Sequence, residues 1–125
     1  MIVGVGIDSL EVARMRRELA REGGGFRDDV FTPGEVADCA GAGDPGRHFA
    51  ARFVAKEATL KALGTGADAW SAFREVEVTR GRRGEPAIVL HERVKRLAAD
   101  RGVRQVLVSF SHTARAATAS VVLET

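Results

Sequence analysis

One cysteine, Cys39, stands in 125 residues. A lone thiol excludes an internal disulfide framework and fits a reducing cytoplasm. Histidine is nearly as scarce. His48, His91 and His112 are scattered, and with one cysteine they make no zinc site at any usual spacing. No apolar run approaches the roughly 20 residues needed to span a bilayer. The opening MIVGVGIDSLEV has no basic segment and meets an acid at Asp8, so a signal peptide is not expected. Repeats, low-complexity tracts and linkers are missing too. The expectation is a single domain over 1–125, with a real but modest core.

What is present is ordinary in amount and uneven in place. Apolar residues make up 45% and charged residues 29%, the composition of a soluble globular protein. Net charge is only +2, yet the pI is about 9.2 because arginine dominates the cations. Arg14, Arg16, Arg17 and Arg21 cluster early, and Arg80, Arg82 and Arg83 sit on a glycine-rich turn. Such patches suit an anionic partner. A nucleic-acid-binding module would interleave aromatics with the basic residues for stacking. With six Phe, one Trp and no Tyr, none flanks that turn, which disfavours nucleic acid.

Residues 2–7, IVGVGI, predict a short buried strand ending at Asp8. A helix is predicted over roughly 9–22; Asp8 and Glu11 have capping-box spacing, and Ser9 is an equally good N-cap. Thr32-Pro33-Gly34-Glu35 starts a second, short helix with a cap, a proline at the first position and a glutamate at the third. A long helix is predicted over about 47–63, closing on Gly64. Alternation predicts a strand over 73–79, with another over 87–90 across an arginine-rich turn. A helix over 92–100 and two valine-rich strands, 105–111 and 117–123, complete the chain. The fold class is α+β, a mainly antiparallel sheet with a long helix packed on it. Gly4-Val5-Gly6 imitates a dinucleotide fingerprint, but the parallel βαβ unit that motif requires is missing.

The long helix carries an acid in an unexpected place. At ~100° per residue, Phe49, Ala50, Phe53, Val54, Ala58 and Leu60 share one half of its circumference, and Glu57 falls among them with Lys61 one turn on. A Glu-to-Lys pair at this spacing stabilises by ~0.2–0.5 kcal/mol, far less than burial of the pair would cost. A paired structural residue and a site residue both remain open for Glu57. Asp8, at a strand-to-helix junction, is either a capping carboxylate or its partner. Two converging carboxylates would form a Mg²⁺ site, which uses one or two acids plus substrate phosphates. Arg52 is expected on the opposite, polar side of the helix.

Four segments together resemble the holo-acyl-carrier-protein synthase family, the small 4′-phosphopantetheinyl transferases. They are GVGIDSLEVARM (4–15), FTPGE (31–35), RFVAKEATLKALGTG (52–66) and SFSHTARAATASVVLE (109–124), in the family's order and spacing. The resemblance implies an enzyme that moves the phosphopantetheine arm of coenzyme A onto a serine of apo-acyl carrier protein and releases adenosine 3′,5′-bisphosphate. It implies that Asp8 and Glu57 bind Mg²⁺, that Glu57 helps deprotonate the serine, and that Lys61 stabilises phosphate charge. Arg52, Gly64, Thr65, Gly66, His112 and Thr113 match positions near the nucleotide. Arg14, Arg17 and Arg21, spaced i, i+3 and i+7, would dock the acidic carrier protein. Family members are commonly trimers of the cytoplasm, with the site between subunits. Val54, where alanine is usual, and Ala116 or Ala117, where an aromatic is frequent, depart from the pattern without touching charge. A catalytically dead subunit on the same fold is opposed by the presence of Asp8, Glu57 and Lys61. Whether the acceptor serves fatty-acid or secondary-metabolite synthesis is left open.

Overall fold

A computed structural model describes residues 1–21, 23–65 and 71–125. The strands are β1 (Ile2–Glu11), β2 (Val76–Arg80), β3 (Pro86–Leu90), β4 (Gln105–His112) and β5 (Ala116–Glu124). The helices are α1 (Val12–Ala20), α2 (Phe26–Val30), α3 (Pro33–Ala40), α4 (Pro45–Ala62), α5 (Ser71–Arg74) and α6 (Glu92–Asp100). β1, β5 and β4 form an antiparallel sheet in that order, and β2 pairs antiparallel with β3. The α+β class is as expected, with α4 laid across the three-stranded sheet.

Period-two alternation decides which side of the sheet is dry. Ala117, Ala119, Val121 and Leu123 of β5 are buried beneath α4. The opposite face leaves Val3, Val5, Ile7 and Leu107 exposed. On β1 the residues turned to α4 are Gly4, Gly6 and Asp8, and their size matters. A Cβ at Gly6 would stand 2.0 Å from Ala58 O, and one at Gly4 2.3 Å from Ala62 O. Only glycine lets the strand backbone rest against the helix backbone this closely.

Three boundaries differ from expectation. Asp8 and Ser9 cap no helix: β1 continues through them, pairing Asp8 with Ala119 and Ser9 with Thr118, and α1 starts only at Val12. The ladder along β5 prevails over a capping-box spacing that lacked its usual Ser or Thr. Arg21 consequently falls in extended backbone just past α1. Residues 73 and 74 are helical in α5, and the strand begins at Val76. α2 was not anticipated, being too short to show a period. The Thr32 start behaved as expected: Thr32 and Glu35 make a full capping box, with Pro33 in the first turn.

α4 departs most from a two-sided helix. Twelve of its residues are buried, among them Arg52, Lys56 and Thr59 beside the apolar arc. A helix wrapped on nearly all sides has no polar face to give Arg52. Arg52 is 2% exposed, and its guanidinium lies 5.7 Å from the Phe110 ring centre and donates to His48 O at 3.3 Å. Glu57 instead lies half-buried at the α4–β1 seam. The helix closes at Gly64, whose φ of +72° requires glycine.

Candidate active site

The seam between β1 and α4 brings Asp8, Glu57 and Lys61 together from positions about fifty apart in sequence. Lys61 Nζ donates to Asp8 Oδ1 at 3.1 Å, with the lysine half-exposed and the aspartate largely covered. Asp8 Oδ2 is buried and has no hydrogen-bond partner among the described residues. The Glu57 carboxyl is pushed up to about 7, first by burial and then by the adjacent Asp8 through hydrogen bonding and like charge; Lys61 and Arg14 oppose this. Two acids facing one another cannot both ionise easily unless a cation joins them. An orphaned buried oxygen beside a carboxyl pushed up by burial and by its acidic neighbour is a donor set suited to a hard divalent ion. Among the described residues no third His, Cys, Asp or Glu completes a protein-only cage.

A cavity of about 320 Å³ opens onto this pair, with Arg14 and Glu18 of α1 on one wall and Met15, Phe26 and Phe53 as an apolar wall. Arg14 and Arg17 are exposed on α1 and make no ion pair with the described residues, whereas Arg21 bonds Glu18 at 3.0 Å. The three arginines therefore do not form one continuous helical stripe. Arg16, between them, is committed to Asp44 at the start of α4 through two bonds of 2.8 and 2.9 Å.

A second cavity, about 160 Å³, lies elsewhere and shares no lining residue with the first. His48, Arg52, Arg80 and His112 surround it. The two imidazoles stand 5.1 Å apart, and burial followed by nearby arginines pulls both below the ordinary histidine value, which favours their neutral forms. Arg52 Nε and His112 Nδ1 are buried without hydrogen-bond partners among the described residues. Thr113 lies in the β4–β5 turn, where its hydroxyl accepts from Arg115 N and Ala116 N. Gly64 and Thr65 bond back onto α4 through Lys61 O and Leu60 O. Gly66 lies outside the described residues. The structure thus splits the expected site into a dicarboxylate seam and a cationic cavity.

Sequence reasoning missed one charged cluster altogether. Lys56, fully buried beside Glu57, meets Glu35 at 2.6 Å and donates to Phe73 O and Val76 O. The available signal was a lysine in the middle of the apolar run RFVAKEA, since lysine is almost never fully buried unpaired. Cys39 is buried, and desolvation pushes its thiol up to about 11, so it carries no nucleophilic role.

Residues 4–119 match the family described as the 4′-phosphopantetheinyl transferase superfamily. The holo-[acyl-carrier-protein] synthase of Koribacter versatilis is 40% identical over 124 residues, 99% of each chain. The crystal structure of holo-[acyl-carrier-protein] synthase from Neisseria meningitidis has a TM-score of 0.89 at 31% identity, covering 100% of both chains. That from Bacillus anthracis, in complex with CoA (3′,5′-ADP), has a TM-score of 0.80 at 33% identity, over 98% of this chain and 96% of its own. Matched in sequence along almost its whole length and in fold throughout, the chain belongs to the 4′-phosphopantetheinyl transferase superfamily.

Proposed function

We propose that this chain is a holo-[acyl-carrier-protein] synthase, which transfers 4′-phosphopantetheine from coenzyme A to a serine of apo-acyl carrier protein. The serine oxygen bonds to the phosphorus that bears pantetheine, the bridging P–O bond breaks, and adenosine 3′,5′-bisphosphate leaves. The observation that carries this reading, beyond family membership, is the meeting of Asp8 and Glu57 beside Lys61 at the α4–β1 seam.

The donor set fits Mg²⁺, and Asp8 and Glu57 would hold it. Bound there, the ion supplies charge neutralisation at the diphosphate. Glu57, whose carboxyl titrates near neutrality, takes the serine proton directly or through a water. Lys61, half-exposed and tied to Asp8, offsets negative charge on the phosphates as the bond breaks. Arg52 and His112 of the cationic cavity, with Gly64, Thr65, Gly66 and Thr113, hold the nucleotide end. That cavity and the dicarboxylate seam open separately within one chain, so coenzyme A bridges the seam of one subunit and the cavity of the next. A homotrimer would do this and would cover the apolar sheet face of Val3, Val5, Ile7 and Leu107. Arg14 and Arg17, which make no ion pair with the described residues, receive an acidic carrier protein together with Arg21.

The whole chain acts as one transferase domain in the cytoplasm; no helix among the described residues is long and apolar enough to cross a membrane. Incubation with coenzyme A, Mg²⁺ and a panel of apo carrier proteins tests the reading. The expected product is a carrier protein heavier by one phosphopantetheine; unchanged masses across the panel would reject it.

A further inference from the structure

The cluster left unused by this chemistry lies one residue before Glu57. Lys56 Nζ donates to Phe73 O at 2.9 Å and to Val76 O at 2.8 Å, and pairs with Glu35 Oε1 at 2.6 Å. Glu35 also accepts from Thr32 N at 2.8 Å and from Val78 N at 2.7 Å. One ion pair thereby ties the start of α3, the middle of α4, the end of α5 and β2. Buried pairs are poor sources of net stability, because desolvation offsets their attraction. Their best-attested use is to select one geometry.

Here the geometry selected is a rotation. Successive helical residues are ~100° apart, so a fixed direction for Lys56 fixes the direction of Glu57. The other half of the seam is fixed separately. Gly4 and Gly6 press β1 onto the α4 backbone at Ala62 and Ala58, and Asp8 is only two residues further along. β1 cannot follow α4 if the helix turns about its axis, and Glu57 would then leave Asp8.

We propose that the buried Lys56–Glu35 pair is a positioning device for the transfer reaction, setting the rotation of α4 so that Glu57 meets Asp8 as a preformed dicarboxylate. The proposal rests on the metal-dependent transferase reading above.

The test compares the full chain with Lys56→Met and with the double variant Lys56→Met/Glu35→Gln, which removes both charges and leaves no unpaired buried ion. Val94→Ala, a core truncation in α6, serves as the reference for plain loss of stability. Two quantities are read below every variant's melting range: Mn²⁺ affinity by paramagnetic resonance, and kcat with KM for coenzyme A and for carrier protein. Both Lys56 variants are expected to bind Mn²⁺ about 10-fold more weakly or worse, and to lose roughly 10- to 100-fold in kcat, with KM for carrier protein retained. Val94→Ala keeps both. If Lys56→Met alone does not fold, the double variant decides. A folded double variant with unaltered Mn²⁺ affinity and kcat overturns the proposal, as does an equal loss in Val94→Ala. Should the unmutated chain modify no carrier protein, the transferase reading fails, while the Mn²⁺ titrations still judge the positioning claim.

Discussion

Residues 56 and 57 are neighbours on one helix and enter opposite electrostatic surroundings. Lys56 is fully buried, bonded to two carbonyls and paired with a carboxylate. Glu57 is half-buried beside a second acid, and burial first and Asp8 second push its carboxyl up to about 7. The contrast extends to what each region leaves unsatisfied. Among the described residues, the buried side-chain atoms without a partner belong to Asp8, Arg47, Arg52 and His112, and none belongs to the Lys56–Glu35 cluster. Two of the four, Arg52 and His112, line the cationic cavity, and Asp8 lines the other. A completed network organises the fold; an incomplete one is open to a ligand.

Breaking the completed network should therefore harm the fold most. Lys56→Met leaves the Glu35 charge buried without its cation, and such a change costs about 3–5 kcal/mol. Denaturant unfolding of the metal-free protein would measure it. A cost below about 1 kcal/mol would erase the distinction between the regions.

The reverse signature belongs to Glu57. Glu57→Gln removes a like charge from Asp8, so the metal-free protein should melt at the same temperature or higher. Transfer activity should nonetheless fall by about 100-fold or more, the scale of losing one preorganised electrostatic group. Thermal melts and single-turnover assays separate the two effects. Loss of stability comparable with that of Lys56→Met would make Glu57 another structural residue.

These roles were legible to different degrees. The carboxylate at 57 stood out because a charge within an apolar arc conflicts with the period around it, and local conflicts of this kind mark function. Thr32 and Glu35 were readable as a capping box, but Glu35's second duty toward Lys56 and Val78 depends on contacts more than twenty residues away. Asp8 illustrates the opposite failure. Its spacing to Glu11 suggested a helix start, while the strand continued because β5 offers partners through Ala116. Alternation from Gly4 and Gly6 would have turned Asp8 toward the helix without any reference to capping. Arg52 was misassigned because the helical wheel presumes a solvent side. α4 has almost none, since the sheet, α1, α3 and α5 enclose it. Short elements such as α2 carry too few residues for periodicity to register.

A smaller effect sharpens the contrast through pH. Glu57 has its folded value raised from 4.5 to about 7. The stability tied to its neutral form is complete below 4.5 and is lost as pH rises through about 7. A divalent ion needs the ionised form, so protons compete with it below that value. Added Mg²⁺ should raise Tm by a few degrees at pH 8 and by little at pH 5. In Glu57→Gln the dependence should flatten. An ion effect equal at both pH values would place the cation elsewhere.

The smallest expected change lies at the rim, where charges are neither satisfied nor strained. Arg14 is exposed, lines the cavity beside Asp8 and makes no ion pair with the described residues, while its helix neighbour Arg16 is bound twice to Asp44. Its available role is to meet a partner's negative surface. Rim charges act mainly on association and weaken with salt. Arg14→Glu should raise KM for carrier protein severalfold at low salt, on the order of 1 kcal/mol, and spare KM for coenzyme A. The difference should shrink as ionic strength rises. Arg16→Glu should instead cost stability at the α1–α4 junction and show no salt-dependent defect in KM. Equal effects of Arg14→Glu on both substrates would assign this arginine to the reaction centre, and the rim would lose its separate character.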